Sequence, residues 1–126
     1  MARIMVIDDD ADLRSLLQYV LSSAGHEVLT AGDGLEALNL QRTNPVQLII
    51  TDMFMPEHEG IETILEFRRD FPDVGIIAMS GASEQAFEML SVARRMGAAQ
   101  VLEKPFSTPE LLSAIEGVLR GESRPA

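Results

Sequence analysis

Five residues of this chain combine a reactive side chain with a telling position. Asp8 and Asp9 follow the apolar run Ile4-Met5-Val6-Ile7, and Asp52 follows Leu48-Ile49-Ile50-Thr51. Ser80 closes the run that begins at Val74-Gly75, and Lys104 follows Gln100–Glu103. Two like charges about 4 Å apart near a protein surface repel by about 4 kcal/mol. Crowding Asp8-Asp9-Asp10 at the end of a buried segment therefore calls for a cation, a helix N-terminus or water to offset it. Carboxylates with one lysine form a hard-oxygen site, suited to Mg2+ rather than zinc. A carboxylate can also attack phosphorus to give an aspartyl phosphate. Attacking oxygen and incoming phosphoryl group are both negative, so the reaction needs a divalent cation and an ammonium beside it. In that chemistry Asp8 and Asp9 serve the metal, Asp52 attacks, and Lys104 and Ser80 meet phosphoryl oxygens.

Residues so far apart in sequence share a site only if the elements ahead of them lie parallel. The runs Ile4–Ile7, Val28–Thr30, Val46–Thr51, Gly75–Met79 and Gln100–Glu103 read as strands. Several are continuously apolar, the mark of a parallel sheet covered on both faces. Helical periodicity fills the gaps between them. Leu13, Leu16, Leu17, Val20, Leu21 and Ala24 make one stripe, stopped by Gly25. A shorter helix follows Asp33, from Leu35 to Leu40. A third runs through Ile61, Ile64, Leu65 and Phe67 to Phe71-Pro72. A fourth, with Ala86, Met89, Leu90, Ala93 and Met96, ends at Gly97. Ser107-Thr108-Pro109-Glu110 is a capping box that opens a fifth with Leu111, Leu112, Ile115, Val118 and Leu119. Five βα units predict an α/β, doubly wound five-stranded sheet with right-handed crossovers.

The 126 residues suit one domain, and 46% hydrophobic with 24% charged residues is a globular balance. Twenty acidic residues against ten basic leave a net charge of -10, which disfavours nucleic acid as a partner of this domain. Zero cysteines exclude disulfides and thiolate metal sites. No apolar run nears the roughly 20 residues of a membrane span, and no leader pattern opens the chain. A cytoplasmic protein without membrane contact is the expectation.

Other candidates have plainer readings. Asp10 and Asp12 fit the first turn of the first helix, where its dipole favours acid. His26 and His58 each lack a second histidine at metal spacing and read as loop residues. The seven methionines read as fillers of core and loop gaps. Arg68-Arg69 and Arg94-Arg95 read as solvated helix faces, the second pair with a possible place on an output face.

With the site residues placed at strand ends, the chain resembles the receiver domains of two-component response regulators from residue 3 to about 120. The resemblance rests on Asp8-Asp9 after the first strand and on Asp52 with Met55-Pro56 and Gly60 behind it. Ser80 after the fourth strand and Lys104-Pro105-Phe106 after the fifth complete it. It implies a flavodoxin-like (βα)5 sheet of order 2-1-3-4-5, with residues 1–121 as the receiver and 122–126 as a short tail. It further implies Asp52 as phosphoacceptor from a histidine kinase or histidine phosphotransfer protein. Mg2+ would be held by Asp8, Asp9, Asp52 and the backbone carbonyl of Phe54. Lys104 would pair with the phosphoryl group, its bond to Pro105 would be cis, and Ser80 would move toward the phosphate as the switch. The domain would be no enzyme beyond its own phosphotransfer and autodephosphorylation. Its output, a partner or a fused domain, would be reached through the fourth helix, fifth strand and fifth helix, as a monomer or a phosphorylation-dependent dimer.

Three positions depart from the family pattern. Val101 stands where many receivers place an aromatic that rotates with the switch hydroxyl, so that coupling is not expected in its usual form. Phe54 occupies a position where a polar group often places the hydrolytic water. With apolar Ala82, it predicts slow intrinsic dephosphorylation. Glu57-His58-Glu59 puts extra charge in the loop after Met55-Pro56. Among rival functions, a relay intermediate without its own output fits the same residues. A haloacid-dehalogenase-like phosphohydrolase needs a second aspartate two residues after the first, where Phe54 stands. A flavodoxin-like FMN protein needs a hydroxyl- and amide-rich phosphate loop, which Asp8-Asp9-Asp10 would replace with repulsion.

Overall fold

Helix and strand alternate along residues 2–53, 60–81 and 91–121, which the computed structural model describes. The elements are β1 (Arg3–Ile7), α1 (Ala11–Ser23), β2 (Glu27–Ala31), α2 (Gly34–Thr43), β3 (Leu48–Asp52), α3 (Gly60–Asp70) and β4 (Gly75–Ser80). Helical residues 91–96, here α4, precede β5 (Gln100–Glu103) and α5 (Thr108–Leu119). The five strands form one parallel sheet in the order β2-β1-β3-β4-β5. The flavodoxin-like order and the five βα units are those the sequence led us to expect.

Continuous apolar runs become strands buried on both faces. Every residue of β3 is buried, as are Ile76–Ser80 of β4. Alternate side chains feed two cores. Met5, Ile7, Ile49 and Ile76 pack with Ala37 and Leu38 of α2, Ile64 and Phe67 of α3, and Ala93 of α4. Ile4, Val6, Ile50 and Met79 pack with Leu17 and Leu21 of α1 and Ile115 of α5. This period of two along each strand places helices on both sides of the sheet.

Local chemistry sets the helix ends. The Asp10 carboxylate caps α1, accepting from the amides of Asp12 (3.0 Å) and Leu13 (3.2 Å). Asp33 caps α2 through the Glu36 amide, and Ser107 and Glu110 form the complete capping box of α5. Gly25 and Gly97, read as helix stops, hold φ of +96° and +122°, a region costly for any side chain.

The apolar stripes are narrower than the sequence suggested. Leu16 is 56% exposed, Ala24 caps α1 from an exposed position, and Leu65, Met96 and Leu119 are also exposed. Leu35, at the start of α2, is exposed as well. Each helix meets only one face of the sheet, so residues about 100° around from the contact line reach solvent. Ala86, Met89 and Leu90 lie outside the described residues.

Candidate functional site

In a sheet of this order, β1 and β3 lie side by side while their following helices lie on opposite faces, which opens a crevice at their C-terminal ends. Ile7 pairs with Thr51, so Asp8 and Asp52 come next to each other, one residue beyond the pair. Asp52 pairs with Met79, which puts Ser80 one step further along β4, and Ser80 pairs with Glu103, just before Lys104. Backbone bonds tie the strand ends at this rim together: Asp8 N–H to the Ala31 carbonyl (3.1 Å), Met53 N–H to the Met79 carbonyl (2.9 Å) and Lys104 N–H to the Ser80 carbonyl (2.6 Å).

Asp8, Asp9, Asp52, Ser80 and Lys104 thus converge as the strand ends predicted. Asp8 is fully buried and Asp52 is 7% exposed, whereas Asp9 faces solvent. One carboxylate oxygen from each of the three aspartates lies within 4.8 Å of the other two. The Lys104 ammonium stands 3.1 Å from Asp8 Oδ2 and 3.5 Å from Asp52 Oδ1, bridging the two strands. Asp8 Oδ1 accepts the Asp10 amide at 2.9 Å. Ser80 is fully buried, and its Oγ has no hydrogen-bond partner among the described residues. A buried hydroxyl in that condition costs about 1–3 kcal/mol.

Three carboxylates at this spacing with one ammonium leave excess negative charge, and every donor is a hard oxygen. This acidic pocket could bind a divalent metal, and its donor set fits Mg2+.

The peptide bond between Lys104 and Pro105 is cis, as the resemblance implied. Val101 is half-buried and packs against the core on the α2–α3 side. Phe54, Met55, Pro56, Glu57, His58, Glu59 and Ala82 lie outside the described residues, and with them the carbonyl expected of Phe54.

Over residues 4–116 the chain matches the response regulator receiver domain family. The chain belongs to that family. This receiver domain is 33% identical over 118 residues to the alkaline phosphatase synthesis transcriptional regulatory protein PhoP of Bacillus subtilis, covering 94% of this chain and 48% of that one. It is 37% identical to the DNA-binding transcriptional regulator NtrC of Azospirillum brasilense, covering 99% of this chain and 26% of that one. The receiver domain therefore spans half or less of these curated relatives. Among solved structures, a response regulator receiver domain protein from Clostridium thermocellum superimposes with a TM-score of 0.89 at 29% identity, covering 96% of both chains. No helix among the described residues is long and apolar enough to cross a membrane.

One residue at the site escaped the sequence reading. Arg14, half-buried in α1, donates from Nη1 to the backbone carbonyl of Asp8 at 2.6 Å. Its position one turn into an amphipathic helix looks like that of any surface cation. Only the fold brings its guanidinium back over the end of β1.

Proposed function

We propose that Asp52 is the phosphoacceptor of this receiver domain and that its phosphorylation drives a two-state switch read by an output partner or fused domain. The observation that carries the reading is Lys104, whose ammonium lies between Asp8 and Asp52 at 3.1 and 3.5 Å. That placement suits an amine that holds Asp52 before transfer and meets phosphoryl oxygens after it.

An oxygen of Asp52 attacks the phosphorus of a phosphohistidine. The P–N bond breaks as the P–O bond of an acyl phosphate forms, and the histidine nitrogen keeps the bonding pair. Asp8, Asp9, Asp52 and the Phe54 carbonyl are the groups that would hold Mg2+. Bound there, the ion would neutralise charge on the transferring group. Ser80 Oγ, a buried donor with no partner among the described residues, would then donate to a phosphoryl oxygen, moving the end of β4. Val101 leaves no aromatic to rotate with it, so the displacement would pass through packing around β4 and β5 toward α4 and α5.

On this reading the donor is a histidine kinase or a histidine phosphotransfer protein, residues 1–121 act as the receiver, and the domain catalyses only its own phosphotransfer and dephosphorylation, in the cytoplasm. The test is to incubate wild type and Asp52→Asn with MgCl2 and acetyl phosphate and to read covalent phosphate by intact mass. We expect phosphate on wild type alone, removed by chelation of the metal beforehand. Covalent phosphate that persists on Asp52→Asn would overturn the assignment.

A further inference from the structure

Of the three clustered aspartates, Asp9 has the least to hold it in place. Asp8 is anchored by Lys104 and the Asp10 amide, and Asp52 by Lys104. The Asp9 carboxylate is exposed and makes no hydrogen bond or ion pair among the described residues. What its carboxylate can reach is therefore bounded by its own staggered rotamers and by the two peptide groups that flank its Cα.

Both peptides are pinned. The amide on the far side of Asp9, that of Asp10, donates to Asp8 Oδ1 at 2.9 Å. On the near side, the carbonyl of Asp8 accepts from Arg14 Nη1 at 2.6 Å, a charge-assisted bond. Arg14 is itself braced. Its amide donates to the Asp10 carbonyl at 3.0 Å in the first turn of α1. Its guanidinium lies against Gly32, where an added Cβ would stand 3.4 Å from Nη1. The Gly32 amide in turn donates to the Glu36 carboxylate at 2.6 Å, fixing that wall of the slot. The arginine therefore links the end of β1, the start of α1 and the loop after β2.

We propose that Arg14 is a positioning residue for divalent-cation binding, acting through the Asp8–Asp9 peptide to aim the Asp9 carboxylate into the cluster. The inference rests on the metal-site reading above, and it makes a prediction opposite in sign to simple electrostatics. Removing a positive charge beside a cation site should tighten cation binding if charge were all that mattered. Losing the orientation of a ligand should weaken it.

The experiment is calorimetric titration of the whole chain with MgCl2, without phosphodonor, for wild type, Arg14→Ala, Arg14→Lys, Asp9→Ala and the Asp9→Ala/Arg14→Ala double variant. We expect Arg14→Ala to weaken Mg2+ binding about tenfold, the scale seen when the support of a metal ligand is lost. Arg14→Lys, which keeps one donor, recovers part of that loss. In the Asp9→Ala background, loss of Arg14 changes affinity by less than about twofold, because its effect runs through Asp9. In the metal-free protein, amide exchange at Asp10 quickens in Arg14→Ala. Should Arg14→Ala fail to fold, Arg14→Lys in both backgrounds carries the same comparison. Equal or tighter Mg2+ binding by Arg14→Ala overturns the proposal, as does an undiminished loss in the Asp9→Ala background. Failure of wild type itself to bind Mg2+ overturns the metal-site reading, and this inference with it.

Discussion

Gly60 sits directly on the peptide that carries Asp52. A Cβ at position 60 would collide with the Asp52 carbonyl oxygen and stand 2.6 Å from Met53 Cα, and the Gly60 amide donates to the Met53 carbonyl at 3.3 Å. The glycine is needed for this close approach of the start of α3 to the end of β3. Gly60→Ala must push backbone aside, and we expect a loss of about 1–3 kcal/mol, the range for overpacking a tight site. Urea denaturation reads the loss. An unchanged midpoint would show that α3 moves away freely.

Asp9→Asn separates folding from ligand binding at the acidic cluster. Without metal, Asp9 repels Asp8 and Asp52 across less than 4.8 Å. Removing one exposed charge at that range relieves about 1 kcal/mol in a water-like dielectric. We expect a higher Tm than wild type in chelator and a smaller rise in Tm on adding MgCl2. A lower Tm in chelator would contradict the repulsion argument.

Ser80→Ala should leave the unphosphorylated protein as stable as wild type or slightly more so, because its buried Oγ has no partner to lose among the described residues. The same variant should lose the amide chemical-shift changes that beryllofluoride induces in α4 and β5. A destabilisation above about 1 kcal/mol would mean that the hydroxyl does work in the resting state.

At the opposite end of the sheet, His26 gives the stability a pH dependence. Its Nδ1 accepts the Ala2 amide at 3.2 Å, which a protonated ring cannot do. Burial holds its pKa below the usual value near 6.5, the positive amino terminus adds to this, and Glu116 opposes it. A lowered folded pKa means that the unfolded chain binds the proton more readily. The histidine's contribution is then fully present above about pH 6.5, the unfolded value, and is lost as pH falls through the folded one. We expect Tm of wild type to fall more steeply from pH 7.5 to pH 5 than that of His26→Asn, whose amide can accept the bond without titrating. Parallel curves would remove His26 from the account.

Much of this was legible in the chain. Continuous apolar runs such as Leu48-Ile49-Ile50 require burial on both faces, and the capping box at Ser107 announces a helix start through bonds made within three residues. Once the strands are parallel, Asp8, Asp52, Ser80 and Lys104 have to meet at one edge. These features depend on local sequence and on the period of the backbone, which a linear reading contains.

What had to come from the folded molecule depends on contacts between distant segments. Leu16 and Leu17 are equally apolar neighbours, yet only Leu17 is buried, because the line of contact between α1 and the sheet decides which one packs. Nothing in the spacing distinguishes Arg14 from a solvated cation until α1 folds back over the Asp8 carbonyl and meets Gly32. The order of groups along the chain thus names the reacting set. The crossing of helices over the sheet decides which side chains hold that set in place, since direction and distance between segments remote in sequence are set by packing.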